Sequence, residues 1–260
     1  MGDPDIAAAV RELWLTHLVL SFTGQALALD EFESVALAFG PFGEDPYLRG
    51  LDDHPHVAEI RREADERTPI FAEAWHSDWS FLDPPPAMTV LLADELPPHG
   101  GDTLYADQHA ALDALDPDLR RRIDGLIGIH SARRGYSPAG QYGDRDVGRS
   151  MRIVASDDAM ACTRHPIVRR HPETGRPALF VSMGYTIGIE GMADDEAQDL
   201  LIALFRHQAQ ERFVHRVVWQ PGMLTMWDNR SVIHRATGGY EGHRRVLRRI
   251  TIAEREAADR

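Results

Sequence analysis

Five residues carry the chemistry this sequence offers: His76, Asp78, Thr103, His234 and Arg245. Two imidazoles and one carboxylate on one face of a metal leave three positions open, the arrangement used for Fe(II) in O2 chemistry. Two open positions suit a 2-oxo acid chelate, and the third suits O2. The stretch Trp75-His76-Ser77-Asp78-Trp79 reads as a strand. In a strand, residues i and i+2 share a face, so His76 and Asp78 would present their side chains together while Ser77 turns away. The pair alone is weak, because about one His-x-Asp is expected by chance in a chain this rich in both residues. A surface histidine beside a solvated aspartate is the plain alternative.

A second cluster lies far downstream. Trp227-Asp228-Asn229-Arg230 leads to His234, which Val232, Ile233 and Arg235 place in an apolar-to-turn context. A lone histidine there is more often a core or hydrogen-bonding residue than a ligand. The run His243 to Ile250, read as a strand, puts Arg245, Leu247 and Arg249 on one face and Val246, Arg248 and Ile250 on the other. Two arginines pointing into a barrel are costly unless each meets an anion. Solvated or ion-paired arginines are the alternative in so acidic a chain.

The elements that must position these residues follow from pattern. Ile6 to Thr16 reads as an amphipathic helix running into a strand, Leu18 to Phe22, and Asp30 to Phe39 as a second helix. Gly40 to His56 is polar and reads as a surface loop. Ala87 to Leu92 is a strand bounded by prolines. Asp116-Pro117 supplies an N-cap and a first-turn proline, with Leu119, Ile123, Leu126 and Ile127 following at helical spacing. Ile167 to Arg170 and Ala178 to Ser182 read as strands about the turn His171 to Gly175. Asp194 to Arg212 is a helix with Leu200, Leu201, Leu204 and Phe205 on one face. Val214 to Trp219, Met223 to Trp227 and Val246 to Ile252 close the chain as strands. Short strands with Pro/Gly turns and a few helices predict a mainly β protein, a jelly-roll-like double sheet with helices packed outside. No stretch reads as a domain linker, so 1–260 is expected to be one domain. Within it, 131–161 is rich in Gly, Arg, Asp and Ser and reads as a long mobile loop. With Tyr136 and Tyr142 it is a candidate lid, a disordered surface insertion being the alternative.

Bulk properties narrow the partners. A net charge of −13 argues against nucleic acid and anionic membranes, which need a basic footprint. All 28 basic residues other than histidine are arginine, so anion recognition must use guanidinium or neutral donors. The single cysteine, Cys162, excludes an intrachain disulfide and fits a reducing compartment. Met1 to Ala9 has no apolar signal-peptide core, and Leu13 to Phe22 is too short to span a bilayer. A cytoplasmic protein is expected, with self-association left open.

In order and spacing the chain resembles the taurine/aryloxyacetate dioxygenase family of Fe(II)/2-oxoglutarate oxygenases. The matching segments are Trp75 to Asp78, Gly100 to Thr103, His171 to Arg176, Trp227 to Arg230 and His234 to Arg249, so the likeness spans roughly Phe39 to Ala253. The resemblance implies a double-stranded β-helix of the clavaminate synthase-like type. It implies Fe(II) on His76, Asp78 and His234, and 2-oxoglutarate and O2 as cosubstrates. Arg245 and Thr103 would hold the distal carboxylate of 2-oxoglutarate. Arg249 matches a position that lies near the substrate anion in members acting on sulfonates or carboxylates. The implied reaction is hydroxylation of a small anionic molecule, releasing succinate and CO2 and cleaving the product when the hydroxylated carbon bears O, N or S. Where taurine-specific members carry an asparagine and a substrate-binding histidine, this chain has Ala72 and the loop Gly43-Glu44-Asp45-Pro46, which argues against taurine. A zinc hydrolase on the same ligands, or a barrel that binds a small acid without catalysis, are the alternatives.

Overall fold

A computed structural model describes residues 4–254; the first part of Met1–Ala9 and the last part of the 1–260 span lie outside the described residues. Its helices are α1 (Pro4–His17), α2 (Leu29–Leu37), α3 (Gln108–Asp113), α4 (Pro117–Arg122), α5 (Arg133–Tyr136) and α6 (Asp194–Gln208). The strands begin with β1 (Val19–Phe22), β2 (Ala58–Arg62), β3 (Met88–Glu95), β4 (Thr103–Asp107), β5 (Ile127–His130) and β6 (Thr163–Pro166). They continue with β7 (Val168–Arg170), β8 (Pro177–Leu179), β9 (Thr186–Ile189), β10 (Val214–Val217), β11 (Leu224–Asp228), β12 (Val232–Ala236) and β13 (Arg245–Ile252). None of the described helices is long and apolar enough to cross a membrane.

The main sheet has the order β1-β11-β3-β13-β2 and faces a three-stranded sheet, β10-β4-β12. Each central strand of the main sheet is buried on both sides, and alternation assigns its residues to two cores. Met88, Val90, Leu92, Met226, Ile250 and Ile252 pack outward under α1 and α2, against Trp14 and Phe32. Leu91, Trp227 and Leu247 point the other way, toward Tyr105, Val217 and Val232 of the facing sheet. This is the expected jelly-roll sandwich, a double-stranded β-helix with helices outside. The smaller sheet β6-β5-β9 and α6 form a third core, in which Leu200, Leu201 and Leu204 meet Ile189 and Leu179.

Several expectations need correction. Trp75 to Trp79 is no strand: His76 makes one isolated bridge, and a turn begins at Asp78, with Trp79 at φ +45. His234 lies on a regular strand, β12, where a turn was expected. Helix α4 stops at Arg122, because the chain turns through Gly125 at φ +74, and Ile127 starts β5 instead. Helix α6 ends at Gln208, four residues short of Arg212, and a 3-10 turn follows at Glu211–Phe213. Gly40 to His56 is not merely a surface loop: Tyr47 and Leu48 are buried, and Phe42 bridges Ile252 at the end of β13. The 131–161 segment contains α5 and a 3-10 turn, Asp157–Met160, and buries Tyr136, Met151 and Ala159.

Candidate metal centre

Backbone pairing assembles the ligands. His76 N–H donates to His234 O at 3.0 Å, and His234 N–H donates to His76 O at 2.7 Å. This two-way bridge locks a loop residue onto β12 and sets the two imidazole rings 4.3 Å apart. The turn after Ser77 then swings Asp78 to the same place, and Ser77 Oγ points away to donate to Asn229 O. Antiparallel pairing of β12 with β4 sets Ala236 opposite Thr103 and His234 opposite Tyr105. Cross-strand partners share a face, so Thr103 and His234 project into one cleft.

All three side chains are buried, and one ligand atom from each lies within 4.8 Å of the others. His76 Nδ1–H donates to Ala74 O at 2.8 Å, which leaves the Nε2 lone pair for the site. Asp78 Oδ1 stands 3.5 Å from His76 Nε2 and 3.8 Å from His234 Nε2. Its other oxygen, Oδ2, accepts from Thr89 Oγ1 at 2.7 Å and from Arg249 Nη1 at 3.0 Å. A relay backs it: Trp227 Nε1–H donates to Asn229 Oδ1, and Asn229 Nδ2–H to Thr89 Oγ1. One carboxylate oxygen is thus fixed by the protein, and the other is free. Burial alone would raise the Asp78 carboxyl, yet Arg249 beside it holds it well below the usual carboxylate range. Burial and the neighbouring His76 push His234 down to about 3, so its ring is neutral at neutral pH and able to ligate. Thr89 was not legible as a site residue; Asn229 at least lay in the Trp227–Arg230 motif.

The donor set fits a divalent metal, with two neutral nitrogens and one anionic oxygen. The other such grouping among the described residues, Asp30, Glu33 and His54, lies at the surface, and His54 Nδ1 is already bonded to Glu33 at 3.0 Å.

The two inward arginines of β13 differ. Arg245 is 4% exposed, its Nη2 donates to Gly101 O at 2.8 Å, and its Nε has no partner. Among the described residues no carboxylate pairs with it, and burial lowers its pKa. A Cβ at Gly101 would stand 2.8 Å from Arg245 Nε, so only glycine, here at φ +70, leaves the guanidinium its place. Thr103 Oγ1 accepts from Trp219 Nε1 at 3.0 Å, which leaves its own proton for a further acceptor. A buried cation and a hydroxyl without an acceptor fit a bound carboxylate. Arg249 is instead ion-paired, the alternative that the sequence leaves open: its Nε donates to Asp45 Oδ1 at 3.1 Å, Nη1 to Asp78 Oδ2 and Nη2 to Thr251 Oγ1.

The model of a family described as "Taurine catabolism dioxygenase TauD, TfdA family" matches residues 2–251. The alpha-ketoglutarate-dependent 2,4-dichlorophenoxyacetate dioxygenase of Cupriavidus pinatubonensis is 36% identical over 250 residues, covering 90% of this chain and 83% of that protein. Among solved structures, a taurine dioxygenase from Burkholderia xenovorans superposes with a TM-score of 0.79 at 29% identity, over 97% of this chain and 83% of the other. AAD-2, solved with Mn(II) and N-oxalylglycine, gives 0.76 at 27% identity, over 98% and 89%.

Proposed function

The chain belongs to the TauD/TfdA dioxygenase family, and from that premise we propose that His76, Asp78 and His234 hold its Fe(II), that Arg245 and Thr103 hold 2-oxoglutarate, and that the substrate is a small organic anion. The protein is an oxidoreductase that uses Fe(II), 2-oxoglutarate and O2. The observation that carries the site assignment is one cleft lined both by a buried set of two histidines and one aspartate and by Arg245, a buried cation without a carboxylate. Neither the zinc-hydrolase reading nor the binding-only reading gains support from the relatives.

When bound, the iron supplies the oxidising chemistry, in which 2-oxoglutarate leaves as succinate and CO2 and the substrate gains one oxygen atom. The chain's own groups position and shield. The Ala74 carbonyl aims the His76 ring, Thr89 and Arg249 hold Asp78 to a single free oxygen, and Arg245 neutralises the distal carboxylate. Phe71, Trp79, Tyr136 and Tyr185 wall the cleft and keep water from it. Tyr136 and Met151 in that wall support a role for 131–161 as the cover of the site. One catalytic domain over 1–260 is part of the proposal, supported by the membership of β1, near the start, and β13, near the end, in one sheet. A reducing, cytoplasmic setting is also proposed, in keeping with the lone free Cys162.

The substrate class rests on the relative named for 2,4-dichlorophenoxyacetate. The test is Fe(II)-dependent succinate release from 2-oxoglutarate with a panel of aryloxyacetates, alkyl sulfates and sulfonates. The expected result is stimulation by at least one anion over the anion-free rate. Iron-loaded protein that releases no succinate under any condition contradicts the proposal.

A further inference from the structure

Arg249 is one of the most completely engaged residues of the cleft. Its guanidinium lies between two carboxylates, Asp45 and Asp78, and rests 5.3 Å over the Trp79 ring. Asp45 is held just as firmly, since its Oδ1 also accepts from Trp79 Nε1 at 2.7 Å and from Thr251 Oγ1 at 2.9 Å. The loop that carries it is pinned to the end of β13: Gly43 N–H donates to Thr251 O at 2.8 Å, and Ala253 N–H to Pro41 O at 3.0 Å. A Cβ at Gly43 would come within 2.9 Å of Thr251 Cγ2, so the close approach depends on glycine. Arg249 and Asp45 have side-chain exposures of only 5% and 14%. The pair is built into the wall.

Charge decides what this wall can receive. Loaded with a dication and 2-oxoglutarate, the surroundings of the metal hold Arg245, Arg249 and the metal against Asp45, Asp78 and a dianion, and these cancel; the other arginines of the cleft wall, Arg61, Arg62 and Arg149, are already ion-paired with Glu59, Glu63, Glu66 and Asp146. Without Asp45 one positive charge would face the substrate. We propose that Asp45 is a specificity-determining residue: it neutralises Arg249 and commits it to orienting Asp78, so the inner cleft receives an uncharged, apolar part of the substrate and the anionic group stays outward. The inner walls, which include Ile60, Phe71, Trp79, Met151 and Leu247, suit such a part. Outward, a second cleft that also touches His76 and Tyr136 is lined by Arg134. Its Nη1 bonds only backbone carbonyls, Met183 O and Thr186 O, and among the described residues no carboxylate pairs with it. This proposal rests on the metal and 2-oxoglutarate assignment above.

The test compares the full chain, unaltered and as Asp45→Asn, in two titrations. In the first, Mn(II) alone is titrated by calorimetry; Asp45→Asn is expected to weaken it about three- to tenfold, because an uncompensated guanidinium now repels the dication. In the second, sodium sulfate is added to protein loaded with Mn(II) and 2-oxoglutarate at constant ionic strength. The variant is expected to bind sulfate at least about tenfold more tightly than the unaltered chain, and the double variant Asp45→Asn/Arg249→Gln to lose that gain. General structural damage would not create an anion site. Equal sulfate affinity, or unchanged Mn(II) affinity, overturns the proposal; Asp45→Ser serves if Asp45→Asn fails to fold. Failure of the unaltered chain to bind Mn(II) would instead overturn the metal assignment, and this inference with it.

Discussion

Two buried clusters in this molecule are built from the same three residue types and do opposite things. One is His171, Asp228 and Arg230; the other is His76, His234 and Asp78 with Arg249 and Arg245. In the first, every polar edge is closed. His171 Nε2–H donates to Asp228 Oδ2 at 2.9 Å, and its Nδ1 accepts from the N–H groups of Glu173 and Thr174. Arg230 gives Nε and Nη2 to Asp228 and Nη1 to Glu173. Nothing is left to bind a ligand. In the second, Asp78 Oδ1, two imidazole nitrogens and one edge of Arg245 remain without protein hydrogen bonds and face a cleft. Residue type and burial do not separate structure from function here. What each cluster leaves unsatisfied does, because an open buried polar group is stable only when something external completes it.

Substitutions can break that contrast. The largest expected effect is at Asp78: Asp78→Ala should lower Fe(II)-dependent 2-oxoglutarate turnover by about three orders of magnitude or more while leaving the fold intact. Asp228→Ala should do the reverse, costing about 3–5 kcal/mol of stability by leaving His171 Nε2 and two of the three bonded nitrogens of Arg230 without their acceptor, with metal affinity kept in whatever fraction stays folded. Urea unfolding and metal titration of both variants measure this, and similar behaviour of the two would erase the distinction. Next, Arg245→Gln should raise the apparent KM for 2-oxoglutarate about 30-fold or more, the usual cost of removing one partner of a buried charge pair. An unchanged value refutes its role. Thr89→Val removes one of the two donors to Asp78 Oδ2 and should weaken Mn(II) binding about tenfold, with little change in KM for 2-oxoglutarate.

A separate effect, on stability rather than on binding, is pH dependence. His234 and His130 are both pushed by burial, and secondarily by a neighbouring histidine, from the ordinary 6.5 to about 3. The unfolded chain therefore takes up these protons near pH 6.5, whereas the folded metal-free protein does so only near 3. Stability is complete above about 6.5 and is lost as pH falls toward 3. Between pH 7 and 5 the metal-free protein should lose roughly 2 kcal/mol per histidine. Denaturant midpoints across that range, with His130→Gln removing part of the slope, check it; a flat profile contradicts the assignment.

The contrast also explains what the sequence could and could not tell. The alternation on β13 was readable, since Arg245, Leu247 and Arg249 do share the inner face and Ile250 the outer core. So were α1 and the Asp116-Pro117 start of α4, whose signals are local caps and periodicity. The pairing of His76 with β12 was not readable: it depends on backbone bonds between residues 158 positions apart, and the local text of Trp75 to Trp79 looks like a strand whether or not it pairs. The strands β4 and β12 were missed because they are short and lie beside glycine-rich turns. Asp45 enters the sequence reading only as part of the loop Gly43 to Pro46, where taurine-specific members carry a histidine, because its partner lies 204 positions away. His171-x-Glu173 has the same local form as His76-x-Asp78, and only tertiary closure tells them apart.

The most direct test of the central claim, that the open cluster is an Fe(II)/2-oxoglutarate site, is spectroscopic and needs no substrate. Under anaerobic conditions Fe(II) is added, then 2-oxoglutarate, and the visible region is scanned for the weak charge-transfer band of the chelate. The band is expected in the unaltered protein, is expected to be lost in Asp78→Ala, and should appear only at higher 2-oxoglutarate in Arg245→Gln. Iron demonstrably bound, with no band at saturating 2-oxoglutarate, would contradict the claim.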